Sequence, residues 1–257
     1  MLSFSPLQCH IDGKLYTLDL QRPIDISLPL STAENQVNCY YAEAVQIEAI
    51  RVGSFVGDVR EGGSCNYVRV SLTPHGNGTH TECYGHISSD GHSINSALRK
   101  FWFLAYLVSV EVSTSPNGDR YVSLETLQKS LKDVPSTEAL VIRTLPNPES
   151  KKHQQYSGTN PTFLEPQSGD FLRQRGVEHL LIDTPSVDKE WDEGALNVHK
   201  GFWQFPSLPR AEATITELVY VPNHVKDGLY ALNLQIISLE SDASPSKPVL
   251  YALKSES

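Results

Sequence analysis

The sequence predicts a strand-rich α+β fold. Apolar and polar residues alternate with period two in short segments along most of the chain, whereas helical spacing is confined to three brief stretches. At 257 residues the chain reads as a single domain, 1–257, with segment 1–30 as an N-terminal arm.

In chain order, Lys14–Leu20 and Ile24–Leu30 read as a strand pair broken at Gln21-Arg22-Pro23. Ala44–Ile50 and Cys65–Leu72 carry the alternation of half-buried strands. Phe101–Val112 reads as a long strand ending in a turn at Ser115-Pro116-Asn117-Gly118. Ala139–Arg143 and His179–Ile182 are short apolar runs suited to interior strands, and Thr214–Val221, Leu229–Leu239 and Pro248–Leu253 complete the set. Helices are expected at Ser93–Lys100, at Ser123–Leu131 behind a serine cap, and at Ser168–Arg175, where Gly176 is suited to the position just past the end. Asn147–Gln167 is polar and rich in Pro, Ser and Gly, and reads as a long functional loop.

With 39% hydrophobic and 20% charged residues, the chain can pack a core. Its 21 basic against 30 acidic residues leave a net charge of −9, which argues against nucleic acid or an anionic membrane surface as partner. The longest nearly apolar run, Phe101–Val110, is half a bilayer span, and Met1–Pro6 lacks a basic start followed by an apolar run, so the expected location is the cytoplasm. Cys9, Cys39, Cys65 and Cys83 form no CxxC pair and read as reduced thiols.

Chemistry concentrates between Pro74 and His92. Four of the nine histidines, His75, His80, His86 and His92, fall there, with Glu82 among them. On an extended chain His80, Glu82 and His86 share a face, which suits a divalent cation such as zinc or manganese in a catalytic setting; a His-rich surface turn is the competing reading. His92 fits a helix start, and His10, His153, His179 and His224 fit surface or packing roles. His153 draws more interest than the others because it lies in the long loop. Glu217, inside the apolar run 215–221, is favoured over Glu212 as a late carboxylate. Asp183 and Asp188 read as turn-shaping acids, and Ser186 lacks the G-x-S-x-G setting of a nucleophile.

Gly78-Thr79-His80-x-Glu82-x-x-x-His86 resembles the HxGTHxDxPxH motif of the cyclase family, which contains bacterial kynurenine formamidases and isatin hydrolase. Further segments resemble the family in order: Asp25-Ile26-Ser27-Leu28-Pro29, Leu140-Val141-Ile142-Arg143-Thr144, Gly176-Val177, Ile182-Asp183-Thr184-Pro185-Ser186-Val187-Asp188, His199, Thr216-Glu217-Leu218, and Glu240-Ser241-Asp242-Ala243-Ser244-Pro245. The resemblance implies a swivelling β/β/α fold. It also implies one or two divalent ions, Zn or Mn, held by His75, His80, Glu82, His199 and Glu217, with His86 as proton donor and acceptor.

Two departures stand out. His75 lies five residues before His80 where the family spaces four, so either a bulge at Gly76 returns it to the site or Gly76 occupies the ligand's place. Glu82 replaces Asp, and Tyr84 stands where the family has Pro. Tyr40 or Tyr41 falls near the position of a substrate-contacting aromatic in the formamidases. The activity implied is metal-dependent hydrolysis of a C–N bond in a small amide, arylformamide or cyclic amide, by a homodimer or higher homo-oligomer. Lactone or ester hydrolysis, or metal binding without catalysis, are the alternatives.

Overall fold

The computed structural model describes residues 7–11 and 13–255; Met1–Pro6, read above for a leader, lie outside the described residues. The strands are β1 Leu7–Ile11, β2 Lys14–Leu18, β3 Ile24–Asp25, β4 Gln46–Ala49, β5 Arg51–Val52, β6 Phe55–Val56, β7 Val68–Ser71 and β8 His80–Glu82. They continue with β9 Trp102–Glu111, β10 Ser113–Thr114, β11 Arg120–Val122, β12 Ala139–Leu145, β13 Phe163–Leu164, β14 His179–Ile182, β15 Thr214–Glu217, β16 Gly228–Ile236 and β17 Ala243–Ser255. The helices are α1 Pro74–Asn77, α2 Ile94–Ala97, α3 Leu124–Ser130, α4 Ser168–Gln174 and α5 Asn197–Trp203.

The architecture is α+β, with a mixed sheet that closes on itself. Seven strands run β17-β16-β9-β12-β14-β15-β8 and return to β17. β9, β12, β14 and β15 are mutually parallel, which requires crossovers, and α3, α4 and α5 lie in the connections between them. Alternation along each strand separates two cores. Phe103, Ala105, Leu107, Ala139, Val141 and Leu181 face one side, and Val108, Val110, Leu140, Ile142, Leu180 and Ile182 face the other with the helices. Among the described residues, no helix is long and apolar enough to cross a membrane.

Several expected elements change. Lys14–Leu20 and Ile24–Leu30 do not pair with each other: β2 pairs with β1 and β17, and only Ile24–Asp25 forms a strand, against β17. Pro248–Leu253 is the middle of the much longer β17, which starts at Ala243. β4 and β7 do pair, yet they are not half-buried; nothing described covers either face, and Ile47, Val68 and Val70 are exposed. The long loop is partly ordered by a 3₁₀ turn at Glu149–His153 and by β13.

The α3 helix forms as expected, with the Ser123 hydroxyl accepting from the Thr126 amide. α4 ends before Gly176, whose φ of +81° suits glycine. Helix α5 carries no local capping signal, since Leu196 precedes it. Its first amides are capped from a distance by Asp188, which accepts from Val198 N at 2.9 Å and His199 N at 3.1 Å.

Candidate metal centre

The site grows from the seam that closes the sheet. β8 pairs antiparallel with β15 on one side and β17 on the other, and its register sets His80 opposite Glu217 and Glu82 opposite Ile215. Ile215 belongs to the core shared with α4 and α5, so His80, Glu82 and Glu217 point to that helical face. The intervening Thr81 points the other way and hydrogen-bonds Thr216 Oγ1 at 2.8 Å. α5 lies over the seam and presents His199.

His75 and His86 arrive from turns. No strand bulge occurs at Gly76; instead Pro74–Asn77 is a helical turn that absorbs the extra residue and swings the His75 ring into the site. A Cβ on Gly76 would lie 2.2 Å from the Ala42 Cβ, so only glycine lets this turn seat against residues 39–42. His86 does not share an extended face with His80 and Glu82. It sits in a 3₁₀ turn, Tyr84–Ile87, where a Cβ on Gly85 would meet the His92 carbonyl oxygen at 1.9 Å. The expected convergence is real, but its cause is that turn rather than strand parity.

The imidazole hydrogen bonds leave three ring nitrogens turned toward the carboxylates. His80 Nδ1 donates to Gly78 O at 3.0 Å, leaving Nε2 3.4 Å from Glu217 Oε2. His199 Nδ1 donates to Asp188 Oδ2 at 2.6 Å, and its Nε2 lies 3.0 Å from Glu82 Oε1 and 3.8 Å from Glu217 Oε1. His75 Nε2 donates to Asp242 Oδ2 at 2.8 Å, and its Nδ1 lies 3.1 Å from Glu82 Oε2 without hydrogen-bond alignment. Metal-ligating histidines are oriented in this way, with one nitrogen bonded outward and the other turned inward.

Two buried atoms, His80 Nε2 and Glu82 Oε2, have no hydrogen-bond partner among the described residues, which is costly unless something else satisfies them. Donor atoms of His80, Glu82 and Glu217 lie within 4.8 Å of one another, as do those of His75, Glu82 and His86. Glu82 belongs to both groups. These nitrogen and oxygen donors, with no thiolate among them, fit a borderline or hard divalent cation.

Electrostatics agrees. Burial opposes the Glu82 anion, yet His86, His199 and His75 hold its carboxyl well below the usual range. Burial likewise opposes the His199 cation, but Asp188 and Glu82 raise it well above its ordinary value. For His75, burial is outweighed by Asp242 and Glu82, and its pKa rises to about 10. Hydrogen bonds from His75 and His86 press the Asp242 carboxyl far down. The cluster demands positive charge, which imidazolium protons or a divalent cation supply.

Asp242 is a site residue the sequence reading did not single out. Its Oδ2 takes His75 Nε2 and also lies 3.3 Å from His86 Nδ1, tying the two turns together. The available signal was an acid in the quoted turn Glu240–Pro245, at the start of the strand that pairs with β8. The Ser186 hydroxyl shapes this loop by accepting from Asp188 N, while the Asp188 carboxylate caps α5 and orients His199. His92 stays out of the site: its ring stacks on Tyr84 and its Nε2 donates to Ala211 O. Glu212 is exposed at a turn, so Glu217 is the late carboxylate in the cluster.

The cluster opens into a cavity of about 290 Å³ lined by His75, His86, His199, Glu217, Tyr40 and Leu196. Tyr40, 41% exposed, lines this cavity, whereas Tyr41, 68% exposed, does not. Both have φ of +54°, a conformation costly for residues with a Cβ. Burial and the Glu217 charge push the Tyr40 phenol's pKa up, so it stays neutral.

A family model described as "Putative cyclase" matches residues 24–189. Kynurenine formamidase of Bacillus cytotoxicus is 28% identical over 195 residues, covering 75% of this chain and 83% of that protein. Isatin hydrolase A from Labrenzia aggregata has the same fold, with a TM-score of 0.64 at 14% identity over 91% of this chain and 94% of its own. A structure titled a predicted metal-dependent hydrolase, from Bacillus stearothermophilus, gives 0.61 at 14% identity, covering 90% and 98%. The chain belongs to the cyclase family and is one of its hydrolases.

Proposed function

We propose that the chain hydrolyses a C–N bond in a small amide, an arylformamide or cyclic amide, with a divalent cation, Zn or Mn, at the β8 seam. The observation that carries this reading is the pair of orphaned buried atoms, His80 Nε2 and Glu82 Oε2, surrounded by inward-turned imidazoles. His80, Glu82, Glu217, His199 and His75 would hold one or two ions. When bound, such a cation makes water nucleophilic near neutral pH and polarises a carbonyl.

The chain's own residues supply the rest. Asp188 fixes the His199 ring, and Gly78 O fixes that of His80, so both present a nitrogen without reorganisation. With Nδ1 facing Asp242, His86 keeps Nε2 to take a proton from the attacking water and return it to the departing nitrogen. An amine leaves poorly as an anion, so this proton return is the step an amide needs most. Tyr40 forms an apolar wall with a neutral hydroxyl, suited to an aryl or heterocyclic body. Like the single domain and homo-oligomer read from the sequence, the cytoplasmic setting belongs to this proposal.

The test is a panel of aryl formamides, lactams and lactones assayed with and without chelation. Amide turnover that chelator removes and zinc or manganese restores is expected. Turnover of lactones alone would transfer the same site to ester chemistry, and no turnover with tightly held metal would make it a binding protein.

A further inference from the structure

A second cavity, of about 230 Å³, opens at the carboxyl ends of the parallel strands β12 and β14. It is separated from the histidine-lined cavity by one turn of chain: Thr184 and Pro185 line this cavity, and Ser186 lines the other.

The polar groups around it divide into two sets. In the first, Asp183 Oδ1 accepts from Thr144 Oγ1, and Oδ2 accepts from Thr144 N at 2.9 Å and Lys151 Nζ at 2.7 Å. Lys151 Nζ also donates to Thr144 O and Oγ1, each at 2.8 Å, so all its donors are used. This buried pair is neutral and self-satisfied. In the second set, the Tyr156 hydroxyl makes no hydrogen bond to protein among the described residues and, not being among the buried unsatisfied atoms, is open to the cavity. Gln154 and Arg120, which also line the cavity, have no side-chain hydrogen bond or ion pair among the described residues either. Burial and the Asp183 charge push the Tyr156 phenol's pKa up and keep it a donor, while Arg120 acts in the opposite direction.

The balance left over is one unpaired cation and several spare donors above an apolar wall of Leu145, Pro148 and Pro185. We propose that this cavity is a second small-molecule site that takes a small organic carboxylate. The carboxylate would meet the Arg120 guanidinium, with the Tyr156 hydroxyl and Gln154 amide as further donors, and the apolar body would lie on the prolines. One guanidinium can take a carboxylate through two parallel hydrogen bonds and balances its single charge. The proposal is independent of the hydrolytic reading, because none of these groups belongs to the histidine cluster.

Benzoate and its neutral analogue benzamide are the probes, titrated into the full metal-loaded chain and followed by ligand-observed NMR and calorimetry. Benzoate is expected to bind and benzamide to bind at least about tenfold more weakly, the loss of one charge-assisted fork. Arg120→Gln should weaken benzoate by about tenfold, and Tyr156→Phe by about threefold, through one lost donor. The weakening of benzoate by Arg120→Gln should be the same in a Tyr40→Ala background, which removes the aryl wall of the other cavity. Arg120 is exposed, so its variant tests the site without disturbing the core. Equal binding of both probes, unchanged affinity in Arg120→Gln, or an Arg120→Gln effect that vanishes in the Tyr40→Ala background would each overturn the proposal.

Discussion

The candidate centre has two halves built on different principles. His80, Glu82 and Glu217 stand on paired strands, with side chains 0% to 4% exposed. His75, His86 and Asp242 hang from turns or strand ends at 25% to 33%. The inner half is held by sheet register and contains the unsatisfied atoms; the outer half is satisfied by its own hydrogen bonds and faces the cavity. Rigid, dry and unsatisfied groups suit ion holding, whereas half-exposed groups that exchange with water suit proton movement.

The inner half should break first. Glu82→Gln removes the one carboxylate common to both donor groups. Metal content by elemental analysis should fall, and kcat/KM on the amide panel should drop by about a thousandfold or more, beyond the 10–100-fold typical of residues that only support a ligand. Retained metal with full turnover would place the ion elsewhere. His86→Gln should instead keep metal while lowering kcat by about a hundredfold, the usual scale of general acid–base help. If metal is lost along with activity, His86 is a ligand and the two halves are not separate in function.

Asp242→Asn refines the division. The amide can still hydrogen-bond His75 and His86 but no longer offers a charge to both. A loss of about tenfold in kcat is expected, with metal content unchanged. A larger fall in metal than in kcat would move Asp242 to the inner half, beside Asp188.

The same contrast explains what could be read from the sequence. Strand residues follow period two, so His80 and Glu82 on one face, and Glu217 in an apolar run, were legible from spacing. The long strand β9, the short β14 and helix α3 were legible for the same local reasons. Residues on turns were not. His75 depends on a helical turn that only Gly76 permits beside Ala42, and His86 depends on Gly85 beneath His92. His199 came into view only through the family resemblance, because α5 is capped by Asp188 from outside rather than by its own neighbours. The exposed β4–β7 hairpin is the converse error: alternation there reports strand geometry and not burial.

A histidine outside the site sharpens the comparison from the other side. His179 is buried on β14, as deep as the inner half, but its Nδ1 is bonded to Thr214 Oγ1 at 2.9 Å and its ring packs 4.0 Å from that of Phe103. Burial, with Arg210 and Lys100 adding to it, lowers its pKa from 6.5 to about 4. The folded state therefore keeps this ring neutral where the unfolded chain binds a proton. Its contribution is complete above pH 6.5 and is lost as pH falls from there toward 4, by about 2 kcal/mol at pH 5. His179→Gln should flatten that part of the stability curve, read as the shift in urea midpoint between pH 7 and pH 5, while metal content and turnover stay put. An unchanged acid-side slope would mean that the ring is protonated in the folded protein. Depth of burial would then not distinguish a packing histidine from one held ready for an ion; the unsatisfied nitrogen of His80 would be the whole difference.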